Sequence, residues 1–218
     1  MEWELNPLDD SRLDQVAELY ARVFAGKPWY EVSRCNVCGI FSGTPPDLEI
    51  ICGCDKKGKY STEAYPLEET REYILEELGH TNSVGLIAVA GLAPGDAGVI
   101  GFAWGYGWTR LEMSEAKWKS PDMRRLVNDR VKEDSFFYVS EVGVLEPYQG
   151  RKIGRRLTNE LAGRGKDTHQ GKTVLRTNEN SPMRYLAEKL GLEPVIGLNN
   201  GFIDTENPQR VLFEGMVK

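Results

Sequence analysis

All four cysteines of the chain fall within one twenty-residue window. They are Cys35, Cys38, Cys52 and Cys54, spaced C-x2-C-x13-C-x-C. In a reducing compartment this spacing favours thiolate ligands to a metal over a disulfide framework. Four thiolates complete the tetrahedral coordination of zinc and leave no position for a substrate. We therefore predict a structural zinc site rather than a catalytic one.

Two alternatives to zinc remain open at this stage. A rubredoxin-like iron site or an iron–sulfur cluster uses the same thiolate ligands, and the cysteines could instead be unligated or redox-active thiols. The cysteine window is too short to bury a core of its own, so metal binding would supply its folding free energy. We predict a zinc-binding insert over residues 30–62, between the first two helices.

A second group of residues is suited to binding an anion. The end of a buried strand, at residues 142–145, leads through the turn Gln149-Gly150-Arg151-Lys152 into a helix that begins near Ile153. The free N–H groups at a helix N-terminus attract anions, and Arg155 and Arg156 add positive charge. We expect a phosphate-bearing ligand here. Neither the P-loop pattern nor the dinucleotide-binding glycine pattern fits this chain.

Hydrophobic periodicity predicts the elements that must position these groups. Helices are predicted from the cap Ser11 to Phe24, from Pro66 to Gly79, from about Ile153, and from Ser181 to Gly191. Strands are predicted at Trp3–Leu8, Val84–Ala90, Val99–Tyr106, Phe136–Leu145, Thr173–Thr177, Pro194–Leu198 and Arg210–Val217, with a turn at Ala93–Asp96. Residues 111–133 are charged and show only a weak helical period. The order β-α-α-β-β-β-α-β-α-β-β predicts an α/β fold, a mixed sheet with helices on both faces.

Composition and charge exclude several classes of protein. The chain has 218 residues, of which 40% are hydrophobic, and a net charge of −6. A substantial core can form at this length, and an acidic protein is a poor general ligand for nucleic acid. No apolar run is long enough to span a membrane, and the acidic N-terminus lacks the pattern of a signal peptide. We predict a cytoplasmic protein with no membrane partner and no nucleic-acid partner.

The basic turn resembles the acyl-CoA pyrophosphate signature of the GNAT superfamily of N-acetyltransferases, written [RQ]-x-x-G-x-[GA]. Gln149 and Gly154 match its two ends, and Lys152 stands where the signature has glycine. The segment from Asn180-Ser181-Pro182 through Lys189-Leu190-Gly191-Leu192 is similar to the family's N…(Y)-E-K-L-G-F segment, and the element order also matches. The resemblance implies a single GNAT-like domain over residues 1–218, with a mostly antiparallel central sheet.

The resemblance also implies acetyl-CoA as the co-substrate. In the family, the fourth and fifth strands separate and the pantetheine arm lies between them. By that analogy Val142 and Val144 would bind the arm through their backbones, and Asn180 would contact it near the thioester. The pyrophosphate would be bound by the turn and the first residues of the helix: Gln149, Gly150, Arg151, Lys152, Ile153, Gly154 and Arg155.

The implied reaction is transfer of an acetyl group from acetyl-CoA to a primary amine by direct attack on the thioester. An amine with a pKa near 10 must lose a proton before it attacks. Glu141, beside the cofactor strand, is our candidate base, although a role as an ordinary edge charge is equally open. The family often places an acidic tyrosine at the position of Ala187; Tyr185 is our candidate acid, with water or no acid as alternatives.

The resemblance implies that the acceptor is a small-molecule or peptide amine. The sequence alone defines neither the identity of this amine nor the oligomeric state of the protein. In the family, the region between the first two helices borders the acceptor, so we expect the zinc insert to fix that wall. Aromatic residues that could line it are Trp29, Tyr30, Trp104, Tyr106 and Trp108. The competing hypothesis is a catalytically idle GNAT-like domain whose zinc insert binds a protein or nucleic acid.

Overall fold

The computed structural model describes residues 2–48, 50–91 and 98–217. The elements, in chain order, are β1 (Trp3–Pro7), α1 (Leu13–Ala25), β2 (Ser33–Cys35), β3 (Phe41–Ser42), β4 (Tyr60–Glu63), α2 (Leu67–Leu78), β5 (Val84–Ala90), β6 (Gly98–Thr109), α3 (Arg110–Lys117), α4 (Pro121–Arg130), β7 (Ser135–Val144), α5 (Ile153–His169), β8 (Lys172–Asn178), α6 (Pro182–Lys189), β9 (Glu193–Ile196) and β10 (Arg210–Met216). The predicted turn at Ala93–Asp96 lies outside the described residues.

A seven-stranded sheet in the order β1-β5-β6-β7-β8-β10-β9 forms the centre. Every neighbouring pair runs antiparallel except β7 and β8, which are parallel. The predicted mixed, mostly antiparallel sheet is therefore confirmed. The one parallel pair is joined through α5, as a parallel connection requires.

Helices cover both faces of this sheet because its central strands are apolar on both sides. In β5, Leu86 packs in the same core as Leu157 of α5, whereas the adjacent Ile87 packs with Val16 of α1 and Ile74 of α2. Successive side chains of a strand point to opposite faces. The alternation along β5 thus places α5 on one face and α1 with α2 on the other.

Two helices, α3 and α4, lie between β6 and β7, in the segment that shows only a weak helical period. Each begins at a recognisable cap. Thr109 and Glu112 form a capping box at α3, and the Ser120 hydroxyl accepts a hydrogen bond from the Met123 N–H at α4, with Pro121 in the first turn. These caps are the signals that predict both helices, because charged surface positions dilute their hydrophobic period.

The cysteine window folds into a small sheet of its own, in the order β3-β2-β4, between α1 and α2. The boundaries 1–218 for one domain and 30–62 for the insert stay predictions. Within the described residues, no helix combines the length and apolar character needed to cross a bilayer. The cytoplasmic location also stays a prediction.

Candidate active site

The central sheet opens between β7 and β8. These strands pair at Phe137–Thr173, Tyr138–Val174 and Val139–Leu175, and at no later position of β7 among the described residues. On the other side of β7, the register with β6 shifts so that Ser140 has no partner residue. A bulge of this kind bends a strand and increases its twist. The bulge at Ser140 therefore lies at the point where β7 separates from β8.

A cavity of about 620 Å³ lies on one side of this opening. The bulk of its wall comes from the end of β7, the following turn and the start of α5. It is lined by Val142, Val144, Gln149, Gly150, Lys152, Ile153, Gly154 and Arg155, together with Tyr185 and other residues of α6. The Gln149 Nε2 group donates a hydrogen bond to the Val144 carbonyl at 3.0 Å, which ties the turn to the strand.

The N-terminus of α5 is open toward this cavity. No side chain caps it, and no acidic residue lies in its first turn. Its first N–H groups thus keep their capacity to bind an anion, and the helix dipole favours negative charge there. Lys152 immediately before the helix has φ of +66°, the left-handed conformation that glycine adopts without strain. Lysine therefore stands in a backbone conformation that suits the glycine of the signature.

A smaller and more polar cavity, of about 190 Å³, lies on the other side of the opening. Glu141 lies in its wall and accepts hydrogen bonds from the hydroxyls of Tyr20 and Tyr73, each at 3.2 Å. Burial, and next the negative charge of Glu77, raise the pKa of Glu141 to about 7. A carboxylate with this pKa can take up a proton near neutral pH.

The buried Glu77 of α2 fixes the strands around Glu141. It accepts hydrogen bonds from Trp104 Nε1 at 3.3 Å and from the Tyr106 hydroxyl at 3.1 Å. The hydroxyl of Ser140, the bulged residue, donates to it as well. Glu77 therefore joins α2 to β6 and to the bulge of β7, and it holds the backbone beside Glu141.

The two cavities meet at the opening of the sheet. Four residues line both of them: Trp29, Val142, Ser181 and Met183. Trp29 lies in the segment after α1, Val142 on β7, and the other two at the start of α6. A ligand in the larger cavity and one in the smaller cavity would therefore meet beside Val142, next to Glu141.

The four cysteine sulfurs lie within 4.8 Å of one another. The Sγ atoms are 3.9 Å apart for Cys35 and Cys54, and 3.7 Å apart for Cys38 and Cys52. A tetrahedral site with Zn–S bonds of about 2.3 Å places its sulfurs about 3.8 Å apart. The geometry of the described cysteines thus fits a zinc ion, and a four-sulfur iron site has the same shape.

Comparison with known proteins identifies the family. The sequence profile described as the acetyltransferase (GNAT) family matches residues 54–192, more than half of the chain. The chain belongs to the GNAT acetyltransferase family. No curated protein matches the sequence.

Solved structures of GNAT proteins share the fold at low sequence identity. Arabidopsis thaliana NAA60 in complex with acetyl-CoA is 16% identical, with a TM-score of 0.57 and 99% of each chain covered. A mosquito arylalkylamine N-acetyltransferase like 5b is 14% identical and covers 99% of this chain and 100% of its own, with a TM-score of 0.57. The polyamine N-acetyltransferase of Drosophila melanogaster is 13% identical, with a TM-score of 0.57, and the match covers 99% of this chain and 100% of the Drosophila chain.

Most of the predicted cofactor residues of this GNAT chain lie together in the larger cavity. Arg151 lies beside it, in a shallow concavity formed with Trp3, Arg155 and Arg156. Asn180 is exposed and lines neither cavity; its neighbour Ser181 lines both. The contact of Asn180 with a pantetheine arm stays a prediction.

The two predicted catalytic residues lie in different cavities. Glu141 lines the smaller one, whereas Tyr185 lines the larger one and is 58% exposed. Ala187, the position of the family's tyrosine, is fully buried in the core. Tyr185 as the acid stays a prediction.

The smaller cavity is also lined by polar residues that were not predicted from the sequence, among them six from separate segments: Tyr20, Glu31, Tyr65, Lys117, Arg176 and Arg210. No spacing in the sequence joins them. Of the predicted aromatic wall, Trp29 does line the cavity. Tyr30 is exposed and lies outside the lining, and so do the buried Trp104, Tyr106 and Trp108. The three alternate with Gly105 and Gly107 along β6 and so lie on one face of the strand, where Trp104 and Tyr106 both contact Glu77.

Proposed function

We propose that this chain is an acetyl-CoA-dependent N-acetyltransferase that acts on a primary amine by direct attack on the thioester. The observation that carries the proposal is the meeting of the two cavities at Val142. One cavity has an uncapped helix N-terminus and cationic residues for a pyrophosphate, and the other has a carboxylate with a pKa near 7.

The proposed reaction forms one bond and breaks another. The amine nitrogen attacks the thioester carbonyl carbon, and the C–S bond breaks as CoA leaves as a thiolate. Glu141, directly or through water, takes the proton from the amine. The N–H near Val142, on the edge of β7 that lacks a strand partner, is our candidate donor to the developing oxyanion. A thiol with a pKa of about 8.5 leaves without an obligatory acid.

Substitution at Gly154 tests the cofactor site. A Cβ atom at this position would meet its nearest neighbours, Val144 Cγ2 and Leu186 Cδ1, at 3.5 and 3.9 Å, which are ordinary contacts. Gly154→Ala should therefore fold and keep the rise in melting temperature caused by acetyl-CoA. Gly154→Asp adds a negative charge where the pyrophosphate is proposed to bind, and it should lose that rise.

An unchanged acetyl-CoA shift in folded Gly154→Asp would contradict the proposed cofactor site. A thiol-release assay over a panel of primary amines then tests the reaction. Acetyl-CoA binding without turnover of any amine would favour the idle-domain hypothesis, in which the cysteine-containing sheet binds a macromolecular partner.

We further propose that Cys35, Cys38, Cys52 and Cys54 bind a structural zinc ion that supports the acceptor cavity. Backbone N–H groups of Val37 and Gly58 point at the sulfurs of Cys35 and Cys54, at 3.5 and 3.4 Å. Donors of this kind stabilise bound thiolates and orient them.

The cysteine unit also reaches the proposed acceptor. Phe41 of β3 lines the smaller cavity, and its ring stacks on that of Tyr65 with centroids 5.3 Å apart. Loss of the metal should free β3, because the binding free energy of a metal in so small a unit is folding free energy. Acceptor turnover should then fall more than acetyl-CoA binding.

Elemental analysis of protein purified without added metal, together with Cys38→Ser, tests the zinc proposal. Gly58 supplies a subtler variant, because a Cβ there would lie 2.3 Å from the Cys35 sulfur. Gly58→Ala should lower the zinc content and acceptor turnover. Gly53→Ala is the matched control in the same segment, since nothing lies within 4 Å of its Cβ. Metal-free wild type with full turnover would contradict the proposal. Stoichiometric iron in the purified protein would assign the site to iron instead of zinc.

A further inference from the structure

More positive than negative side chains line the smaller cavity, which is the proposed acceptor site. Lys117 of α3, Arg176 of β8 and Arg210 of β10 reach it, and its carboxylates are Glu31 and Glu141. The pKa values of both carboxyl groups are raised, chiefly by burial. Asp204, outside the lining, pairs with Arg176, so the unpaired charges of Lys117 and Arg210 oppose Glu31 and a Glu141 that is only partly ionised at neutral pH. The wall of this cavity therefore carries a modest net positive charge.

Two of these cations make no ion pair within the part of the chain that the structure describes. Lys117 Nζ lies 5.4 Å and 5.6 Å from the ring centroids of Trp108 and Tyr138. Arg210 Cζ lies 4.6 Å from the Trp29 ring centroid. Each is half-buried, and its side chain has no hydrogen-bond partner among the described residues. An aromatic face stabilises a cation less than a direct carboxylate does.

Arg176 offers a third donor at the same cavity. One of its terminal nitrogens pairs with Asp204 at 2.5 Å, and its side chain is only 12% exposed. Its Nε atom is buried and has no hydrogen-bond partner in the described residues. An unsatisfied buried donor is costly, and Arg176 therefore favours an acceptor atom beside this wall.

From these three cations we infer that the acceptor is an amine that also carries an anionic group, a carboxylate or a phosphate, bound by Arg210 and Lys117 while the amino group faces Glu141. The inference rests on the proposed function and names the substrate class of that site. The cavity of about 190 Å³ suits a compact acceptor or the terminal residue of a longer one. A polyamine would bring more positive charge to a site that already has an excess of it.

Direct binding in the presence of CoA tests this without turnover, because CoA has no acetyl group to transfer. The matched ligands are propylamine, β-alanine and 2-aminoethylphosphonate, measured by calorimetry. Wild type should bind at least one of the two anion-bearing ligands about tenfold more tightly than propylamine. The better of the two identifies the anion as carboxylate or phosphate.

Removal of the cavity's cations should remove this preference. Arg210→Gln and Lys117→Met should each bind the three ligands within about twofold of one another. Arg210→Lys keeps the charge and should restore part of the preference. Arg164→Gln is the control, since Arg164 pairs with Glu160 on the surface of α5 and should leave the preference unchanged.

Equal binding of propylamine and both anion-bearing ligands by wild type would overturn the inference, even if thiol release with plain amines established the transferase. A preference that survives in both Arg210→Gln and Lys117→Met would also overturn it. Conversely, a preference that these variants abolish supports the anion site even if no amine releases thiol from acetyl-CoA, in which case the proposed function alone fails.

Discussion

At the scale of single residues, the neighbours of Glu141 shift its pKa in opposite directions. Burial and the nearby charge of Glu77 raise its pKa, whereas the cations Lys117 and Arg210 and the hydrogen bond from Tyr73 lower it. The outcome, about 7, lies where a general base is most effective near neutral pH. A carboxyl group of this kind in the wall of a cavity is also a typical feature of functional sites.

Glu141→Gln should lower kcat by roughly 100-fold and leave the affinity for acetyl-CoA nearly intact. In wild type, turnover should rise as the pH passes through about 7, because only ionised Glu141 accepts a proton. The variant should lack this rise in turnover near pH 7. It should keep only the rise at alkaline pH that comes from deprotonation of the amine. Steady-state kinetics from pH 6 to 9 measures both. Wild-type turnover in the variant would remove Glu141 from the mechanism.

Glu141→Gln should also stabilise the folded protein at high pH. The folded-state pKa of Glu141, about 7, lies above the usual value of 4.5. The stability that the neutral carboxyl group contributes is therefore fully present below pH 4.5 and is lost as the pH rises through about 7. Glutamine stays neutral throughout. Denaturant unfolding should show little difference from wild type at about pH 5 and a gain of up to about 3 kcal/mol at about pH 8.

The exposed Glu72→Gln on α2 is the control for that experiment, and it should show no such trend. A difference between Glu141→Gln and wild type that stays constant with pH would contradict the assigned pKa.

Only part of the site could be predicted from single residues of the sequence. Glu141 was found because it adjoins the cofactor segment, and the four cysteines because their spacing is itself the signal. Tyr73 and Arg210 reach the same cavity from distant segments. Residues brought together only by the fold leave no pattern in the chain, because their contacts depend on packing rather than on spacing.

At the scale of elements, the turn from β7 into α5 has an unusual residue in the position that sets its geometry. Lys152 takes the left-handed conformation that an L-residue adopts at a cost of about 1–2 kcal/mol. Its side chain also lines the cavity where the anion is proposed to bind. Lys152 therefore adds positive charge to the proposed anion site, at the cost of a backbone conformation that glycine would adopt without strain.

Lys152→Gly and Lys152→Ala separate these two effects. Both remove the charge, and both should weaken acetyl-CoA binding to a similar extent. Only glycine takes φ of +66° without strain, although its freer unfolded chain offsets part of that gain. Lys152→Gly should therefore be more stable than Lys152→Ala by up to about 1 kcal/mol in denaturant unfolding. An alanine variant of equal or greater stability would show that the loop is not strained at this position.

Elements with strong apolar patterns were predictable, and those made by charged segments were less so. The limits of β5 agree with its apolar run, and α5 begins at Ile153 as predicted. The helices α3 and α4 carry few apolar positions and are marked instead by their caps. The bulge at Ser140 had no signal, since it depends on the register between β6 and β7.

In the whole molecule, one opening in the sheet creates both cavities and joins them. The parallel pairing of β7 with β8 ends at Val139, and residues of β7 and α6 on either side of that gap line both cavities. An acceptor and a thioester placed in these cavities would share a wall. This arrangement favours direct transfer within a ternary complex over transfer through an acetylated residue.

Initial-rate kinetics should therefore give intersecting rather than parallel lines when acetyl-CoA and acceptor are varied together. Ser140 is the residue that makes the result informative, because it lines the acceptor cavity and its hydroxyl contacts the carboxylate of Glu77. A serine hydroxyl needs an adjacent general base to act as a nucleophile, and Glu77 is the carboxylate in contact with it. Ser140→Ala should keep the intersecting pattern and much of the turnover, and mass spectrometry should find no acetylated protein after incubation with acetyl-CoA alone. Parallel lines, with an acetyl group on Ser140 that the variant loses, would replace direct attack by a two-step reaction.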